Sequence, residues 1–278
     1  AKGRMNLFRV NLTTGQARVV EEGAPTTVGW VADKDGRAAM RIDSNTSFSK
    51  NRMFVRDGAG AWREVRTISK RDGKGFEPIG ATEDPSRIFV YARKEGDDRI
   101  GVHVYDLRTA AIVETLFVHP RYDVLGAAID RKTRAFVGAS YISDGLRYDL
   151  REPGAGAALR GLQSFFGSDY EIAVVDRSDD RKTWLLVAAS PQDPGSWYLF
   201  NQDRASVEPV GASNSVIPGR LPQRTRHITY KARDGLEIPG FLTLPKGWTK
   251  EDGPLPTIIQ PHGGPWSRGT QWGWDRDV

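Results

Sequence analysis

The sequence predicts a mainly β protein: a partial β-propeller over residues 1–220, then a differently patterned segment, 221–278, that opens a second domain. Three observations carry this reading. Strand-like runs dominate the first 220 residues, the polar turns between them recur at one spacing, and the pattern breaks after residue 211. Composition agrees. Of 278 residues, 38% are apolar and 27% charged, with 30 glycines and 16 prolines, a balance suited to short strands that each bury one face and turn often.

The strand runs are Arg87–Tyr91, Gly101–Tyr105, Trp184–Val187 and Trp197–Phe200, rich in β-branched and aromatic residues and bounded by Gly, Asp, Asn or Pro. No sustained helical periodicity is expected before residue 220. A polar turn leads into a strand at Asp33–Arg37, Glu83–Arg87, Asp130–Arg134 and Asp179–Thr183. Aligned on Arg37, Arg87, Arg134 and Thr183, these turns step by 50, 47 and 49 residues. A second phase ends a strand on Asn or Asp at Asn11, Asp57, Asp106, Asp149 and Asn201. There the short side chain bonds the turning backbone and tolerates left-handed geometry. Two phases agreeing on a period of about 40–50 residues with several strands each are the mark of a propeller, and outweigh an unrelated string of hairpins in a sandwich. About four and a half blades fit in 1–220. The block Met5–Gly15 reads as the tail of a blade whose earlier strands precede it.

Forty basic residues are interleaved with 35 acidic ones, for a net charge of +5. The densest basic pieces, Arg131–Arg134 and Arg224–Arg226, fall at a turn and a strand start rather than in a stripe, so no nucleic-acid role is expected. No stretch reaches the roughly 18 apolar residues of a membrane span. Cysteine is absent, which excludes disulfides and thiol chemistry. His103, His119, His227 and His262 show no metal-ligand spacing, and neither metal nor cofactor is expected.

From Gly211 to Pro222 the chain reads as a linker. A strand from His227 to Arg233, an Asp234-Gly235 turn and a strand from Leu236 to Leu244 predict a hairpin. After a proline-containing loop, Thr257–Gln260 is expected as a short buried strand running into Pro261-His262-Gly263-Gly264-Pro265. Adjacent glycines let a backbone present a bare amide to a ligand, and acyl transfer needs such donors for its oxyanion. In α/β-hydrolases one donor comes from the loop after the third strand, often as His-Gly-Gly. The bland alternative, a simple turn, fits Gly-Gly-Pro alone. The hairpin, the strand and His262 together favour the oxyanion loop.

Residues His227–Asp275 resemble the start of the catalytic domain in the prolyl oligopeptidase family, above all its acylaminoacyl-peptidase-like branch. Asp234-Gly235, Pro239–Leu242, Pro245 and His262–Arg268 carry the resemblance. It implies a first set of α/β-hydrolase strands, an oxyanion role for the Gly264 amide beside Gly263, and a loop shaped by His262. It also implies a serine in a G-x-S-x-G elbow. No such elbow occurs in the sequence, so the triad is expected beyond Val278 and the isolated chain is expected to be inactive. The resemblance further implies a short-peptide substrate held in part by propeller acids. Candidates are Glu83 and Asp84, with Glu21-Glu22 as a second pair, although such pairs usually face water. Trp272 is a candidate pocket residue or a packing residue. Self-association, or association with the remainder of the same protein, is expected to cover open sheet edges. The compartment stays open between cytoplasm and periplasm. The competing reading is a binding propeller without catalysis, carrying an accessory β segment.

Overall fold

A computed structural model describes residues 4–56, 59–69, 75–214, 216, 224–263, 272–276 and 278. Contacts divide the chain into two units, Ala1–Tyr141 and Ile142–Val278.

In the first unit, β1 (Leu7–Val10) and β2 (Ala17–Glu21) form a two-stranded antiparallel sheet. Next, β3 (Thr27–Ala32), β4 (Ala38–Ser44), β5 (Lys50–Arg56) and β6 (Trp62–Ser69) make a four-stranded antiparallel meander. A second meander follows in β7 (Phe76–Ala81), β8 (Arg87–Ala92), β9 (Gly101–Asp106) and β10 (Ala111–Phe117). The hairpin of β11 (Val124–Ile129) and β12 (Phe136–Ile142) begins a fourth sheet, which β13 (Leu146–Leu150) completes in the order β11-β12-β13. In the second unit, β14 (Glu171–Arg177), β15 (Thr183–Ser190), β16 (Asp193–Asn201) and β17 (Ser206–Ala212) form another four-stranded meander. The first strands of the four successive sheets start at Thr27, Phe76, Val124 and Glu171, steps of 49, 48 and 47 residues within the expected period. The fold is mainly β and of propeller type.

The two phases of the sequence repeat acquire a structural meaning. The first is the turn between a sheet's first and second strands. There Asp33 Oδ1 accepts the Asp35 and Arg37 amides at 2.9 and 2.8 Å. In the same position Asp130 Oδ1 accepts those of Lys132 and Thr133. The second phase is the turn between third and fourth strands. Asn11, Asp106 and Asn201 each accept amides two or three residues on. The residue four places after each is left-handed: Gly15 at φ 70°, Ala110 at 56° and Ala205 at 47°. By this register β1 and β2 stand where third and fourth strands stand elsewhere.

Inward faces of neighbouring sheets fuse into cores. In the first unit Met40, Met53, Val55, Ile88, Val90 and Tyr105 pack together across the two meanders. In the second, Trp184, Leu186, Ile172 and Phe200 receive a helix, α1 (Ala155–Phe166). This helix corrects the expectation of none before residue 220. It follows β13, where the repeat would place a fourth strand. Ala155, Ala158, Leu159, Leu162 and Phe166 fall on one face and pack onto that core. Gly156 and Gly161, poor helix formers, and small alanines had masked the period.

Two further expectations are corrected. Gly211 and Ala212, read as linker, pair with Trp197 and Ser196 in β17; residues 217–223 lie outside the described residues. Thr257–Gln260 is neither a ladder strand nor buried. Ile258 and Ile259 are 93% and 87% exposed, and no described strand pairs with them. An apolar run becomes a buried strand only where neighbours supply hydrogen bonds and a covering face.

Candidate oxyanion loop and its supports

The hairpin that leads to the loop joins β18 (Arg224–Lys231) to β19 (Glu237–Leu244). Its turn is a three-residue loop, Arg233-Asp234-Gly235. The Ala232 amide donates to the Leu236 carbonyl, Asp234 Oδ1 accepts the Leu236 amide, and Gly235 takes φ 86°. That is the type I turn plus left-handed glycine of a bulged hairpin, one residue longer than the two-residue turn expected. Beyond β19, Thr249 and Asp252 cap each other across a 3-10 turn, Lys250–Asp252. The Trp248 indole N–H donates to the Gly253 carbonyl. This tight knot fixes where the extended segment to His262 departs.

His262 is exposed, and its Nδ1–H donates to the Gly263 carbonyl at 2.7 Å, which ties the ring to the backbone of the loop it was expected to shape. Gly263 follows an extended segment rather than a ladder strand. A Cβ there would meet no atom within 4 Å, and its backbone is not left-handed. Neither crowding nor torsion within the described fold demands a glycine. Gly264 lies outside the described residues.

Trp272 sits in a half-buried aromatic cluster. Its ring stacks on His227 at 4.8 Å and 10°, lies 5.8 Å from Phe241, and its indole N–H donates to the Asp169 carbonyl. These contacts give Trp272 packing partners. Sequence reading missed the cluster, although His227 and Phe241 are direct partners in the hairpin register. Counting back from a two-residue Asp234-Gly235 turn sets Leu242 opposite His227; the extra loop residue shifts the register and brings Phe241 there. Nearby, the Asp144 carboxyl is held below its usual range by the Ser143 hydroxyl foremost, with Arg147 and His227 adding.

Glu83 and Asp84 occupy the exposed β7–β8 turn, away from that cluster in sequence and unit. Asp84 Oδ1 accepts both the amide and the hydroxyl of Ser86. The Ser86 hydroxyl leads in lowering the Asp84 pKa, ahead of the Ser86 amide and Arg87. Asp84 therefore closes a turn, as Asp33 and Asp130 do one place earlier in the repeat. Glu21 is bound to Arg56 at 2.6 Å.

No protein-family model matches the chain. Among curated proteins, dipeptidyl aminopeptidase BIII of Pseudoxanthomonas mexicana is 24% identical over 274 residues, which is 95% of this chain and 38% of that protein. The chain thus spans well under half the length of this curated relative. Similar solved structures include a putative dipeptidyl aminopeptidase IV from Bacteroides ovatus, with TM-score 0.56 and 12% identity, covering 97% of this chain and 41% of that one. A prolyl endopeptidase structure gives TM-score 0.53 at 16% identity, over 90% and 36% of the two chains. Likeness at that level of identity shows the fold.

Proposed function

We propose that this chain belongs to the prolyl oligopeptidase family and is the N-terminal portion of a serine peptidase of acylaminoacyl-peptidase-like type that hydrolyses short peptides. The observation that carries the reading is the curated peptidase relative, matched along 95% of the chain; that match takes in both the propeller-type sheets and residues of the His262 loop. Residues 1–220 form the propeller portion and residues 221–278 open the hydrolase domain. In this reading Gly264 donates its backbone amide to the oxyanion of the tetrahedral intermediate. His262 holds the loop through the Gly263 carbonyl, and Gly263 is bare because a substrate, not the fold, comes close to it. The nucleophile belongs to sequence that this chain does not contain, since no G-x-S-x-G occurs in it.

The test uses a serine-directed phosphonate and peptidyl nitroanilides on the 278-residue chain and on the product of its full reading frame. The chain alone is expected to show neither labelling nor turnover. The full-length product should label stoichiometrically, and Gly264→Val should lower its kcat/KM by about 10²-fold or more with a melting temperature nearly unchanged. Labelling of the chain alone, or a full-length product that hydrolyses no peptide, would overturn the proposal.

A further inference from the structure

Within the first unit, the turn ends of the two full meanders and the end of β2 enclose a cleft of about 750 Å³, a size typical of small-molecule sites. Its lining is divided in character. Val55, Pro85 and Leu107 contribute apolar surface, while Arg37, Arg56, Arg63 and Arg108 bring four guanidinium groups. Only two acids, Glu21 and Asp33, share the lining, and both are already committed. Glu21 grips Arg56 at 2.6 Å, and Asp33 Oδ1 is spent on the amides of its own turn.

The other three arginines keep most of their donors. A guanidinium carries five N–H groups. Among the described residues Arg63 donates to the Leu107 and Arg108 carbonyls, at 3.5 and 3.4 Å, both through one Nη. Arg37 and Arg108 form long ion pairs, with Asp35 at 3.8 Å and Asp106 at 3.5 Å, and their side chains are 78% and 74% exposed. Such a cleft has surplus positive charge, forked donors that match oxyanions, and an apolar wall beside them.

The geometry points to a binding site for a small organic anion: a carboxylate or phosphate group held by Arg37, Arg63 and Arg108, with an apolar body against Val55, Pro85 and Leu107. It is independent of the peptidase reading and stands or falls separately from it. Sequence distance hides it, because these arginines come from three different turns and strands.

Calorimetric titration of the chain at low salt would use phenyl phosphate, phenylacetate and the neutral benzyl alcohol. One-to-one binding of an anionic probe with no binding of benzyl alcohol is expected, and 0.5 M NaCl should weaken it several-fold. Preference for phenyl phosphate would assign the natural ligand to phosphate esters, and preference for phenylacetate to carboxylates. Arg63→Gln should weaken binding at least tenfold. Because Arg63 also ties down a turn, Arg37→Gln and Arg108→Gln, both on exposed side chains, provide the same reading without risk to folding. Equal affinity for benzyl alcohol, absence of binding, or three variants that bind like the parent would overturn the site.

Discussion

At the scale of single residues, the repeat is written in aspartates, asparagines and the residue four places later. Gly15 takes its left-handed torsion freely, whereas Ala110 and Ala205 hold φ 56° and 47° with a Cβ in place. That Cβ crowds the backbone, while glycine there gives back part of the gain as extra freedom in the unfolded chain. Ala110→Gly and Ala205→Gly are each expected to raise stability by about 0.5–1 kcal/mol, read as a higher urea midpoint at unchanged slope. Lower midpoints would show that the turns carry no strain. His103 makes a different statement. Fully buried in β9, it lies 3.1 Å from the Ala92 carbonyl through Nε2 and 3.1 Å from the Thr115 hydroxyl through Nδ1. Burial pushes its pKa down, against the pull of the Ala92 carbonyl. The unfolded chain therefore binds this proton more readily than the folded one. The stability is present in full above about pH 6.5 and declines as pH falls toward the depressed folded value. Urea midpoints measured from pH 7.5 to 5.5 should fall for the parent and fall less for His103→Gln; equal slopes would refute the assignment.

At the scale of elements, what the sequence revealed was local and what it concealed was not. Strands bounded by Asx turns were legible because a turn is decided by four or five neighbouring residues. The helix α1 was concealed although its period was present, because Ala155 and Ala158 add little apolar signal and Gly156 and Gly161 argue against helix. Its stability comes from the sheet it covers. Leu162, 2% exposed at the centre of that contact, is the element's anchor. Leu162→Ala should cost about 2–5 kcal/mol, with loss of helical signal in far-UV circular dichroism before global unfolding. A cost under 1 kcal/mol would mean that α1 does not depend on the core. Thr257–Gln260 failed the opposite way: its residues favour a strand, but strand identity belongs to neighbours that the described residues do not supply.

For the whole molecule, the spacing of sheets was readable from sequence because the turn between first and second strands holds an aspartate that accepts a turn amide in all four sheets, so four weak signals reinforce one another. The candidate site was readable only in part. His262 donates to the Gly263 carbonyl, Asp84 accepts the Ser86 amide, and Trp272 stacks on His227. Asp84, followed by Pro-Ser, has a local use as the carboxylate of its own turn. The arginine cleft was invisible, since Arg37, Arg63 and Arg108 converge only once two meanders have folded side by side.

The helix that stands in place of a fourth strand leaves β13 as the terminal strand of its sheet among the described residues. Its counterparts β5, β9 and β16 are each flanked on both sides. The amides on the open side of β13 therefore lack a ladder acceptor, although that of Leu146 donates to the Glu171 carboxylate at 2.7 Å, and an edge strand opens locally more easily than a flanked one. Measured by hydrogen–deuterium exchange, alternate amides of Leu146–Leu150 should exchange orders of magnitude faster than those of Gly101–Asp106 or Asp193–Asn201. The seam beside β13 is thus the place where this sheet first lets solvent in.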